Sequence, residues 1–327
     1  EKLYFFLKCN HLRYLITFVH ILYSRAKMKY LKKLLLPILL LGFILSGCSS
    51  STQAKYDATK ALGPQVNYTI TGIDAGAGVM GNTQTALEKY GLTQKNWQLQ
   101  TSSTAAMTSV LDKAIKNQQP IVITGWVPHW MFTKYDLKFL DDSKKVYGES
   151  EGIHTIARLG LKKNQPGFYQ FLENFNWTSD QLAQVMLQIN DGVDPAKAAK
   201  NYLKKHPEQL NTWLKNVPEG KDKTVTLAYV AWDSEIASAN VAKAALESRG
   251  YKVNIRSMDA QPMWTAVATG AADASLSAWL PVTHDAYAKH FKGKYVDVRT
   301  NLDGAKTGLA VPTYMTNINS ISDLKNK

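Results

Sequence analysis

Thr224-Val225-Thr226-Leu227-Ala228-Tyr229-Val230-Ala231-Trp232-Asp233-Ser234 is the stretch whose reading decides the fold. Its first nine residues, rich in β-branched, aromatic and apolar side chains, read as a strand that ends at Asp233. The pattern then turns helical from Ser234 to Ser248, Gly250 terminates the helix, and Tyr251 to Arg256 is a second strand. A helix from about Pro262 to Thr269 leads to a third, Ala274-Ser275-Leu276-Ser277-Ala278-Trp279. The first half of the chain repeats this order. Val66 to Ile73 is a strand ending at Asp74, followed by a helix over Thr83 to Lys89 and a strand over Trp97 to Gln100. Another helix, Ala105 to Lys116, precedes the strand Ile121 to Thr124, which delivers Gly125-Trp126. Asp74 to Trp126 spans 52 residues and Asp233 to Trp279 spans 46, so the halves offer matching strand tips. Strands alternating with helices predict parallel sheets that bind ligands beyond their carboxyl ends. Between the halves, Thr178 to Gly192, Pro195 to Lys204 and Pro207 to Asn216 read as helices, with Trp177, Trp213 and Trp264 as packing residues.

Trp126, Trp232 and Trp279 all fall at strand tips, each near turn residues or a histidine. Indoles so placed line a cleft, and a box of indole faces holds a quaternary ammonium, which has no strong hydrogen bond to donate. The pattern points to a binding protein for a betaine-like solute. Gly76-Ala77-Gly78-Val79-Met80-Gly81 fits Gly-x-Gly-x-x-Gly. A dinucleotide is disfavoured, because the strand ending near Gln100 lacks the acid a ribose requires. The N–H groups of Gly78 and Val79 instead suit a carboxylate, and His284, five residues after Trp279, can donate to the same group. His129 and Trp130 are expected to support their loop, and Asp74 and Asp233 to cap helices. The rival class is a hydrolase using Ser234, His284 and Asp233, but there is no Gly-x-Ser-x-Gly elbow. No cofactor or metal motif is present.

Residues 28–47 read as a secretory leader: Met28-Lys29-Tyr30-Leu31-Lys32-Lys33, an apolar run from Leu34 to Leu45, then Ser46-Gly47-Cys48. Cys48 is the expected lipidation site, residues 48–65 a lipid-anchored linker, and residues 1–27 upstream translation. The 327 residues hold 39 Lys/Arg and 26 Asp/Glu; eight basic residues and one acid precede Cys48. The remainder carries 31 against 25, a net of +6 without long basic blocks, which argues against nucleic acid as partner. Cys9 and Cys48 are the two cysteines, so the exported domain is expected to fold without a disulfide and to lack a cysteine nucleophile.

Gly72–Met80, Thr124–Leu140, Tyr229–Ser238 and Ser277–His284 together resemble the glycine betaine-binding lipoproteins of Gram-positive osmoprotectant ABC importers, over residues 65–327. Val79 stands where isoleucine is expected, a change that leaves the backbone contact intact. The resemblance implies a two-lobed α/β fold of the type II periplasmic-binding-protein kind. One lobe would be 66–152 plus about 312–327, the other 153–311, with crossings near Ile153–Leu159 and Gly308–Pro312. It implies that Trp126, Trp232 and Trp279 box the ammonium, while His284 and the N–H groups of Gly78 and Val79 take the carboxylate. It further implies a lipid-anchored extracytoplasmic monomer serving an ABC permease and its ATPase. Proline betaine could share the site; a choline- or carnitine-preferring protein is the alternative.

Overall fold

The computed structural model describes residues 53–326. The expected leader, the lipidated Cys48 and the start of the linker lie outside the described residues. The strands are β1 (Thr69–Thr71), β2 (Gln98–Gln100), β3 (Ile123–Val127), β4 (Leu137–Phe139), β5 (Glu151–Arg158), β6 (Thr224–Tyr229), β7 (Lys252–Ser257), β8 (Ala274–Leu280) and β9 (Tyr295–Pro312). The helices that matter below are α1 (Gly78–Lys89), α2 (Thr104–Lys116), α3 (Pro166–Asn174), α4 (Ser179–Asn190), α5 (Pro195–Lys205), α6 (Pro207–Trp213), α7 (Asp233–Glu247) and α8 (Ala260–Thr269).

The duplication read from the sequence is realised in the pairing. β1 lies between β2 and β3, parallel to both, and β6 lies between β7 and β8, parallel to both. Each trio therefore has its first strand in the middle, the arrangement that a β-α-β-α-β chain with two right-handed crossovers produces. The sheets are not wholly parallel, as the alternation predicted. β5 and β9 run antiparallel to their neighbours and carry the strand order from one trio to the other, β2-β1-β3-β9-β5-β8-β6-β7. β9 is long enough for both: Tyr295 to Ala305 pairs with β5, and Lys306 to Pro312 with β3 and β4. Its register against β5 shifts three times between Asp297 and Ala305, the irregularity that lets a long strand bend on its way between partners. The result is a two-lobed α/β fold with one trio at the centre of each lobe.

Burial explains the local patterns. All seven residues of β8 are buried, and both α7 and α8 pack against it. α7 is built from Ala, Ser and Asn on nearly every side, small enough to be enclosed between α4, α5 and the sheet. Trp177, Trp213 and Trp264 are core residues as expected; Phe175 joins the first two in an aromatic cluster. α4 starts with a complete capping box, in which Thr178 accepts from the Gln181 N–H and Gln181 reaches back. Ser103 caps α2, and Asp194 caps α5 ahead of its first-turn Pro195. α1 and α7 have no such cap: their N-cap residues are Ala77 and Trp232, and neither supplies a side-chain acceptor.

Candidate functional site

Those two uncapped ends face the same place. A small cavity is lined by Ile73, Ala77, Gly78, Val79, Trp126, Trp232, Trp279, Thr283 and Thr307. Five of the six predicted ligand residues are thus in its wall. The three indoles arrive from the ends of β3, β6 and β8, one from the β2-β1-β3 trio and two from the β7-β6-β8 trio. Trp126 and Trp279 lie inside their strands, near the carboxyl ends. Trp232 lies past the end of β6, because its N–H folds back onto the Val230 carbonyl at 2.8 Å and starts α7. No lining side chain carries a formal charge.

On the opposite wall α1 begins at Gly78, five residues earlier than its hydrophobic pattern indicated. The first N–H groups of a helix have no intrahelical acceptor, so those of Gly78 and Val79 are available to an anion, and the helix dipole favours one. Gly78 is there because nothing larger fits. A Cβ at that position would lie 2.0 Å from the Thr283 carbonyl oxygen and 2.6 Å from its Cγ2. The other two glycines of the loop, Gly76 and Gly81, have open space where a Cβ would be. The motif is therefore a place of close approach to the turn after β8 at its middle glycine alone.

His284 stands one layer back, with its ring 5.8 Å from that of Trp232. Its backbone N–H donates to the Trp279 carbonyl at 2.8 Å, and the Trp279 N–H returns a bond to Nδ1 at 3.2 Å. Trp264 Nε1 also approaches Nδ1, at 3.4 Å. Nδ1 is thus an acceptor, which puts the proton of the neutral ring on Nε2, and that buried atom has no protein partner. Burial pushes the imidazole down to about 3, so it is an uncharged donor at neutral pH. Trp232 Nε1 is a second buried N–H without a partner.

The sign of that shift gives a stability prediction. A base held at about 3 when folded, against 6.5 when free, contributes stability that is complete above pH 6.5 and lost as pH falls toward 3. The stability gap between the parent and His284→Gln is therefore expected to narrow as pH is lowered through that window, by up to about 1.4 kcal/mol per pH unit. Parallel pH–melting curves for the two proteins would show that the histidine titrates freely.

Several polar side chains that the sequence left unassigned fix the walls. Glu151, buried, accepts from the Thr283 N–H at 2.9 Å, the Val282 N–H at 3.3 Å and the Thr283 hydroxyl. Burial raises its carboxyl above the usual range, partly offset by those bonds. Glu235 is buried behind Trp279 and accepts its Nε1–H at 2.8 Å. Asp233, expected to cap its helix, instead reaches across to the loop after β3. It accepts from His129 Nε2 at 3.2 Å and from Trp130 Nε1 at 3.1 Å. Met131 N–H donates to His129 Nδ1, which leaves Nε2 as the protonated donor toward Asp233. Burial opposes ionisation of Asp233, yet these donors hold its carboxyl below the usual range. His129 and Trp130 thus link the loop after β3 to the start of α7 instead of merely supporting a loop. The Tyr287 hydroxyl also donates to the Gly76 carbonyl at 2.8 Å, linking the short helix Asp285–His290 to the glycine loop. The hydrolase alternative has no geometry: the Ser234 hydroxyl donates to Glu235, not to His284. Among the described residues no three His, Cys, Asp or Glu side chains are grouped to hold a metal.

The family described as the substrate binding domain of ABC-type glycine betaine transport systems matches residues 49–205 and 223–327. A glycine betaine/carnitine transport binding protein of Listeria monocytogenes serotype 1/2a (strain 10403S) is 58% identical over 297 residues, covering 90% of this chain and 99% of that protein. Lactococcal OpuAC, solved in its closed-liganded conformation with glycine betaine, is 47% identical with a TM-score of 0.45. The match covers 51% of this chain and 64% of that one. A glycine betaine, L-proline-binding protein of Borrelia burgdorferi is 33% identical with a TM-score of 0.45, over 51% and 63% of the two chains. The chain spans just under two thirds of each of those solved structures.

Proposed function

Because this chain belongs to the family of substrate-binding domains of ABC-type glycine betaine transport systems, we propose that it captures glycine betaine outside the cytoplasm for delivery to an ABC permease and its ATPase. Trp126, Trp232 and Trp279 box the trimethylammonium; the N–H groups of Gly78 and Val79, with His284 Nε2, take the carboxylate. Cys48 tethers the protein, a monomer, to the membrane through lipid. In this reading the lobes are 66–152 with the end of the chain and the segment between them. β9, which changes partner between Ala305 and Lys306, is one of the strands on which they close.

One observation carries the reading: three indoles from both lobes and an uncapped helix N-terminus converge on a cavity without a charged lining residue. A zwitterion suits that wall. It brings no net charge, its cation can be met by π faces, and its anion by backbone donors. Three faces at roughly 0.5–2 kcal/mol each offer about 2–6 kcal/mol, whereas a micromolar complex needs about 8 kcal/mol. The carboxylate contacts and lobe closure supply the difference.

The alternative, a preference for carnitine or choline, draws on the Listeria relative, whose name includes carnitine. Calorimetric titration of residues 49–327 separates these readings. Glycine betaine is expected to bind at about micromolar Kd and choline at least about tenfold more weakly, because choline has no carboxylate for the donors. Choline binding as tightly as betaine would remove the carboxylate clamp, and carnitine binding more tightly than betaine would reassign the solute. Silence from all three would overturn the site.

A further inference from the structure

We infer that Glu235 is a positioning residue of the site: its carboxylate fixes the plane of the Trp279 indole so that the ring presents its face to the bound ammonium. The inference deepens the functional reading above and rests on it. Glu235 lies in the first turn of α7, three residues after Trp232, and its side chain is 1% exposed. One oxygen accepts the Trp279 Nε1–H at 2.8 Å, and the other accepts the Ser234 hydroxyl. The carboxylate thus ties the strand tip that carries Trp279 to the one that carries Trp232.

Three observations separate this role from an ordinary acidic residue at a helix start. An acid in the first turn is stabilising near water, where it meets the helix dipole at little desolvation cost, whereas a fully enclosed carboxyl costs far more than that gain. Nor does Glu235 close a capping box, because the Trp232 N–H that it would accept is already bonded to the Val230 carbonyl. Finally, an indole has a broad, poorly discriminating χ2 preference, so its ring plane needs an outside anchor. Cation–π attraction exists over the ring face and fades toward the positive ring edge, which makes that plane decisive for affinity.

The chemistry of the anchor tolerates a change of protonation. Burial pushes the Glu235 carboxyl up to about 7. A carboxylic acid and a carboxylate both retain an oxygen that accepts from the indole, as does the amide of glutamine. Methionine, of similar volume, does not.

The test is a double-mutant cycle on betaine affinity, with the indole N–H read separately by ¹H–¹⁵N NMR. Glu235→Met is expected to weaken betaine binding by about tenfold in the parent and by less than about twofold in a Trp279→Phe background, where no N–H is left to hold. Glu235→Gln is expected to restore affinity to within about threefold of the parent. The Trp279 Nε1–H resonance should move upfield in Glu235→Met and stay near its place in Glu235→Gln. If methionine prevents folding, Glu235→Asp keeps the charge, withdraws the oxygen by one methylene and should show the same loss. Unchanged affinity in Glu235→Met, or an equal loss with and without Trp279, would overturn the inference while leaving the site intact. A parent chain that does not bind betaine would instead overturn the functional reading beneath it.

Discussion

Gly78→Ala is expected to lose betaine affinity by about 100-fold or more while the free protein keeps its fold and melting temperature. The added methyl would sit 2.0 Å from the Thr283 carbonyl oxygen, a distance that no side-chain rotation relieves because the atom it meets is backbone. Thr283 cannot retreat either, since Glu151 holds both its N–H and its hydroxyl. The conformation itself is not at issue. Gly78 is the first residue of α1, where alanine is intrinsically more favourable than glycine. On the proposed lobe bounds Gly78 belongs to the first lobe and Thr283 to the second, so the clash is expected only while the lobes are together. Opening relieves it, and opening removes Trp126 from Trp232 and Trp279. Calorimetric titration paired with a melting curve checks both halves of the expectation. Affinity within threefold of the parent would mean that the bound state does not bring Gly78 against Thr283.

Much of this was legible in the sequence, for identifiable reasons. The strand–helix alternation survives because each half repeats it, and duplication doubles a weak periodic signal. Trp126, Trp232 and Trp279 could be picked out because a large aromatic beside turn residues at a strand tip is badly placed for a core. Gly78 could be chosen only through its motif; which of three glycines is crowded depends on Thr283, more than 200 residues away. The antiparallel strands β5 and β9 were not foreseen, because their pairing is set by lobe connection and leaves no local period. Asp233, Glu151 and Glu235 were missed as anchors for a similar reason. An acid that will be buried looks, in sequence, like one that will be solvated. Asp233 in particular follows a strand and opens a helix, which is also where a cap belongs, and only the arrival of His129 and Trp130 from the loop after β3 distinguishes the two.

Trp232→Ala is expected to cost betaine affinity by about 30- to 100-fold, with Trp126→Ala and Trp279→Ala close behind, whereas phenylalanine at any of the three should cost about 3- to 10-fold. The contrast matters more than either number. Alanine removes both the apolar contact with the methyl groups and the ring face; phenylalanine keeps a face with a weaker quadrupole and a smaller area. If binding were only burial of three methyl groups, charge on the solute would be irrelevant. A direct probe is tert-butylacetate, which replaces the ammonium nitrogen of betaine by carbon at nearly the same shape and keeps the carboxylate. The parent should bind it at least about tenfold more weakly than betaine, and that preference should shrink in each Trp→Ala variant as one face is removed. Trp232 sits where a second effect can enter, because its Nε1–H is buried without a protein partner. Should that group donate to the ligand carboxylate, Trp232→Phe would weaken tert-butylacetate markedly as well as betaine, while Trp126→Phe would weaken chiefly betaine. Equal binding of the two solutes by the parent would remove cation–π attraction from the account, and a purely hydrophobic pocket with an anion-binding helix end would take its place.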